Sequence, residues 1–68
     1  MERPKIYYDG YGESGNIYWL LGALQIELRK RNLMSVFYDA QRRVLKAKNY
    51  NEAISIISEY AELIDTSI

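Results

Sequence analysis

Ile17-Tyr18-Trp19-Leu20-Leu21-Gly22-Ala23-Leu24-Gln25-Ile26-Glu27-Leu28 places Ile17, Leu20, Leu21, Leu24 and Leu28 at i, i+3, i+4, i+7 and i+11, one stripe of an α-helix. That stripe predicts a buried face. Tyr18, Trp19, Ala23 and Ile26 lie off it, so the apolar surface wraps beyond the ~100° arc by which a helix of a small monomer faces its core. The sequence therefore predicts that copies associate, with Tyr18, Trp19, Ala23 and Ile26 as the seam. Arg29-Lys30-Arg31 favours the negative end of the helix dipole and Asn32 suits the cap, which bounds this helix at about 16–31.

Upstream, Lys5-Ile6-Tyr7-Tyr8-Asp9 is rich in β-formers with Ile6 and Tyr8 on one face, and it reads as a short strand at about 5–9. Gly10-Tyr11-Gly12-Glu13-Ser14-Gly15 has the composition of a turn in which glycines give access to positive φ, and Ser14 or Asn16 can cap the helix that follows. Downstream, Ser35 is placed to cap a second helix at about 35–48, with Phe37, Ala40, Val44 and Ala47 inward and Asp39 one turn before Arg43. Asn49 and Glu52 form a capping box for a third helix at about 50–64, in which Ala53, Ile56, Ile57, Tyr60 and Ile64 repeat the helical spacing. The tail Asp65-Thr66-Ser67-Ile68 has two open readings, fraying or adding a strand beside residues 5–9. The expected fold is a single α+β domain, mostly α: one short N-terminal strand followed by three helices in a small bundle, assembled as a homo-oligomer.

With 68 residues the chain buries only about 60% of the surface its unfolded form exposes, which predicts marginal stability. Cysteine and histidine are both absent, which removes disulfides, thiol nucleophiles, Cys/His zinc sites and histidine acid-base chemistry together. Glu59 with Glu62, and Asp9 with Glu13, are the nearest approach to paired carboxylates, and neither set clusters. No catalytic residue, metal site or cofactor is expected. Nine basic residues balance nine acidic ones, so neither polymeric nucleic acid nor a membrane surface is expected as a partner. No apolar run is long enough to span a bilayer and no secretory signal is visible, which predicts a cytoplasmic protein. The charge is nevertheless uneven along the chain: residues 1–28 sum to −2, residues 29–48 to +6 and residues 49–68 to −4.

The strand, glycine turn and helix start offer one candidate ligand site. Free backbone N–H groups near Gly15 and Asn16 lie at the positive end of a helix, the arrangement that accepts phosphates. Tyr11, Gly12, Ser14, Gly15 and Asn16 are the candidates there, with Arg42, Arg43 and Lys46 as cations and tyrosines to stack a base. Gly10-x-Gly12-x-x-Gly15 formally matches the dinucleotide fingerprint, but 68 residues cannot supply the βαβ sheet that gives it meaning, and no Walker loop is present. Two plainer readings compete: a tight strand-to-helix connection, and basic and acidic helices that simply attract each other.

Ser14-Gly15-Asn16-Ile17-Tyr18-Trp19-Leu20-Leu21-Gly22, with Asn49-Tyr50-Asn51-Glu52-Ala53-Ile54 and Glu59-Tyr60 downstream, resembles a group of very small phage and prophage proteins. The group has a strand, a Gly-Asn-aromatic helix start and an Asp-Tyr-Asp-like box before the last helix; Asn49 stands where an acidic residue is common. The resemblance implies a mobile-element accessory protein that acts on a host or defence component in the host cytoplasm. Two non-enzymatic roles follow from these readings: a sponge that sequesters a phosphate-bearing nucleotide signal, or a protein-binding inhibitor or adaptor that docks a helical surface onto a host protein.

Overall fold

The computed structural model describes residues 3–67. The chain runs through β1 (Lys5–Tyr8), a 3-10 turn at Glu13–Gly15, α1 (Ile17–Lys30), α2 (Met34–Leu45), α3 (Tyr50–Ser58) and β2 (Glu62–Asp65). The α+β, mostly helical class stands; of the two readings of the chain's end the added strand is the one formed, and it begins at Glu62, ahead of the expected tail. β1 and β2 lie parallel, with Lys5 opposite Glu62 and Tyr8 opposite Asp65. The Glu62 N–H donates to the Pro4 carbonyl at 2.8 Å and the Thr66 N–H to the Tyr8 carbonyl at 2.7 Å.

Local chemistry sets most of the boundaries. Asn16 is extended and its side chain accepts from the Tyr18 N–H, which starts α1. At the other end Asn32 adopts φ 59°, the left-handed region. The Asn32 N–H bonds the Arg29 carbonyl at 3.0 Å and the Leu33 N–H bonds the Leu28 carbonyl at 2.8 Å, the paired bonds of a Schellman motif. That tight reversal corrects the start of the second helix: Leu33, not Ser35, occupies the cap position, and Ser35 already lies inside the first turn. α2 also stops at Leu45, short of 48, because Asn49 must be extended for its side chain to accept from the Glu52 N–H at 2.8 Å.

The larger correction is at the third helix, which ends at Ser58 instead of 64. The Tyr60 and Ala61 N–H groups both bond the Ile57 carbonyl, and the fully buried Ala61 turns the chain out of the helix. Leu63 and Ile64 are thereby placed opposite Ile6 and Tyr7 of β1. Arg3 donates from its guanidinium to the Ser58 carbonyl, at the negative end of α3.

Leu20, Leu24 and Leu28 of α1 pack with Phe37, Ala40 and Val44 of α2, Ala53, Ile56 and Ile57 of α3, and Ile6 of β1. The predicted stripe of α1 is the buried one. The total surface, 4632 Å², is close to the ~4,450 Å² that scaling gives for a folded 8.0 kDa monomer. The core thus closes within one chain, and what α1 leaves open is a face rather than a missing core.

Leu24 is fully buried, so Leu24→Ala should cost about 2–5 kcal/mol in urea unfolding through lost contacts and the cavity left behind. Asn32→Gly should be neutral or stabilising in the same measurement, while Asn32→Val should cost about 1–2 kcal/mol because a β-branched residue resists positive φ.

Candidate functional site

The glycine turn is built around two carboxylates. The Asp9 side chain accepts from the Tyr11 N–H at 3.0 Å, its carbonyl accepts from the Gly12 N–H at 3.0 Å, and its own N–H donates to the Ser14 hydroxyl at 2.7 Å. Asp65, arriving on β2, accepts from the Gly10 N–H at 3.1 Å. Within the turn the Gly15 N–H bonds Gly12 and the Asn16 N–H bonds Glu13. The Tyr50 hydroxyl donates to the Gly15 carbonyl at 2.6 Å, which ties the turn to the start of α3.

None of the glycines has positive φ. Their role is close approach: a Cβ on Gly10 would sit 2.5 Å from the Asp65 carboxylate, and one on Gly15 would sit 2.8 Å from the Asp9 carbonyl oxygen. The candidates Tyr11, Gly12, Ser14, Gly15 and Asn16 do come together, but as a closed turn. Its amides at Gly10, Tyr11, Gly12, Gly15 and Asn16 are bonded inside the chain, two of them to carboxylates that would repel a phosphate.

The cations divide. Arg43 meets Glu59 in a two-pronged pair at 3.0 and 2.9 Å and also donates to the Tyr60 hydroxyl at 2.9 Å. Tyr60 in turn donates to Asp39 at 3.3 Å, and Arg42 lies 3.7 Å from the same carboxylate group. The guanidinium carbon is 5.8 Å from the Tyr60 ring centroid, and the hydroxyl is the nearer contact, so hydrogen bonding rather than a cation–π interaction fixes this geometry. Basic α2 is thus joined to the acidic end of α3, as the plainer reading of the charge pattern has it. Lys46 directly follows α2, between Leu45 and Ala47, which line a pocket with Ile17 and Tyr18, while Arg43 is committed to Glu59.

The remaining candidates form a continuous surface. Tyr18, Trp19, Gly22, Ala23, Gln25 and Ile26 line a depression of about 440 Å³ on the outer side of α1. Trp19, Ala23, Ile26 and Glu27 also form one wall of a second groove, about 260 Å³, whose other wall is Lys5, Ile6 and Tyr7. Tyr18 is 74% exposed, Trp19 43% and Ile26 54%. No charged residue occurs between Asn16 and Ile26, so the outer depression is uncharged, while Lys5 and Glu27 mark the groove beside it. Gly22 lies at its centre and a Cβ there would meet nothing within 4 Å. Sequence reasoning passed over Gly22 and the β1 wall; the signal for the former was a glycine four residues from both Tyr18 and Ile26 on an otherwise strong helix.

Among the described residues no helix is long and apolar enough to cross a membrane, and no group of three or more acidic side chains is placed to hold a metal ion. No protein-family profile matches the chain, and neither a curated protein nor a solved structure shows significant similarity to it.

Three carboxyls are held below their ordinary values. Arg31 bonds Glu27, Arg43 bonds Glu59, and Ser67 with the Gly10 amide bonds Asp65. Each favours the charged form, so the stabilisation is present in full above the ordinary carboxylate values, 4.5 for Glu and 3.8 for Asp. It is lost as pH falls from there through the depressed folded values. A melting-temperature series should therefore show an acid limb below about pH 4.5. That limb should be shallower in Asp65→Asn.

Proposed function

We propose that this chain is a non-enzymatic protein-interaction module whose working surface is the outer face of α1 with the adjoining β1 wall. The observation that carries this reading is an uncharged face around Gly22 on which Tyr18, Trp19 and Ile26 stay exposed outside the chain's own core. Tyrosine and tryptophan are the side chains most enriched in protein interfaces, because each supplies a large apolar body with a polar tip. Trp19, flanked by Ala23 and Ile26 in the groove beside β1, has the placement of an anchor.

The adaptor or inhibitor role implied by the resemblance to small phage proteins asks for binding without chemistry, and this face suits it. The nucleotide-sponge role asks the glycine turn for free amides, and those of Gly10, Tyr11, Gly12, Gly15 and Asn16 are bonded within the chain. The interaction reading is therefore the better supported of the two.

A photo-crosslinking aromatic residue in place of Trp19, introduced in cells that make the protein, should give one dominant adduct that disappears when Ile26→Lys is added. The same probe in place of Tyr38, exposed on α2, should not give it. No adduct from position 19, or equal adducts from both positions, overturns the proposal. A panel of linear and cyclic nucleotides should leave the melting temperature unchanged. A ligand present at 100 times its dissociation constant would add about 2.7 kcal/mol and support the sponge instead.

A further inference from the structure

We infer that the occupant of this surface is a second copy of the chain, added edge to edge on β1 about a two-fold axis at Ile6; this rests on the interaction reading above.

Among the described residues β1 has β2 on one side and no strand on the other. Because the Pro4 and Tyr8 carbonyls face β2, alternation turns the N–H and C=O groups of Lys5 and Tyr7 toward the open side. The next outward pair, on Asp9, is already taken by Ser14 and Gly12. The open edge is therefore short, and its register with itself is nearly determined. Centring an antiparallel pairing on Tyr7 would call on the occupied groups of Asp9. Centring it on Lys5 would set two lysines directly opposite each other, which is unfavourable. Centring it on Ile6 lets Lys5 of each copy exchange both main-chain bonds with Tyr7 of the other.

The same axis explains the helix. The groove beside the edge has Trp19, Ala23 and Ile26 as its far wall, so a copy added to β1 brings its own α1 alongside. A two-fold contact places like residues near one another, and a face without charge from Asn16 to Ile26 meets itself without repulsion. Gly22, which weakens the helix and beside which a Cβ would meet nothing in its own chain, lets the second helix approach closely. Tyr18, Trp19 and Ile26 leave roughly 400 Å² of side chain open, about half of the ~800 Å² that each partner buries in a stable complex. The backbone edge and its flanks supply the rest. The product is one four-stranded sheet, with the helices of both copies on the same side.

Sedimentation equilibrium over a dilution series should give a species of twice 8.0 kDa that dissociates reversibly. Tyr7→Pro removes the outward N–H of the edge together with the Tyr7 side chain and takes no bond from the β1–β2 ladder; it should raise the dimer dissociation constant at least ~10-fold, with the circular dichroism of the folded chain retained. Gly22→Leu, whose Cβ meets nothing within 4 Å in the lone chain, should do the same. A single 8.0 kDa species throughout the series, or a dimer indifferent to both variants, overturns the inference. If the chain is monomeric and the probe at position 19 yields an adduct with a different protein, the second copy is wrong and the interaction reading survives. If no adduct forms, both fall.

Discussion

Two four-residue strands from opposite ends of the sequence, Lys5–Tyr8 and Glu62–Asp65, pair in parallel, and the three helices are the connection between them. A parallel pair cannot be joined by a hairpin, so this contact forms only once the intervening chain has folded back on itself. A two-stranded sheet has little stability alone, and here it gains support from Ile6 and Leu63, which reach the helical core. The dependence runs both ways: pairing of the ends closes the bundle, and the bundle provides the floor on which the ends pair. With only two strands, each necessarily keeps an open side, and the working surface proposed for this molecule grows out of that unavoidable edge.

Much of the helical frame was legible in the sequence. The Leu20, Leu24 and Leu28 stripe, the Asn16 and Asn49 caps and the Asn32 reversal are all short-range features whose cause lies within a few residues. The end of α3 was not legible. Tyr60 and Ile64 extend the spacing of Ala53, Ile56 and Ile57, and no glycine or proline interrupts residues 58–64. What stops the helix is a competing offer from β1 across nearly the whole length of the chain, and such an offer leaves no local mark. The glycine turn was placed correctly, but for an incomplete reason. Its glycines answer to the space left by Asp9 and Asp65 rather than to an unusual backbone angle, and a partner so distant in sequence cannot be inferred from composition. The outer face of α1 was readable because the buried stripe was already full.

The strong charge asymmetry along the sequence becomes modest in the fold. Arg43, Glu59, Tyr60 and Asp39 form one connected group, with Arg42 at its margin. Pairs this exposed to solvent contribute little to stability. Their main effect is geometric, since they fix how the last turns of α2 meet the chain as it leaves α3. The same commitment occupies Arg43 with Glu59, while Lys46 takes no part in the group.

The meeting of Gly10 with the Asp65 carboxylate bears on how this protein can vary. The carboxylate takes up the volume that any side chain at position 10 would need, and it also accepts the amide of that residue. Positions separated by 55 residues are thus locked into one steric and hydrogen-bonded unit. The dependence runs one way: a side chain at position 10 obliges the carboxylate to move off the amide it accepts, whereas loss of the acid leaves the glycine unhindered, so lineages that lose the glycine should come to vary at the acid as well.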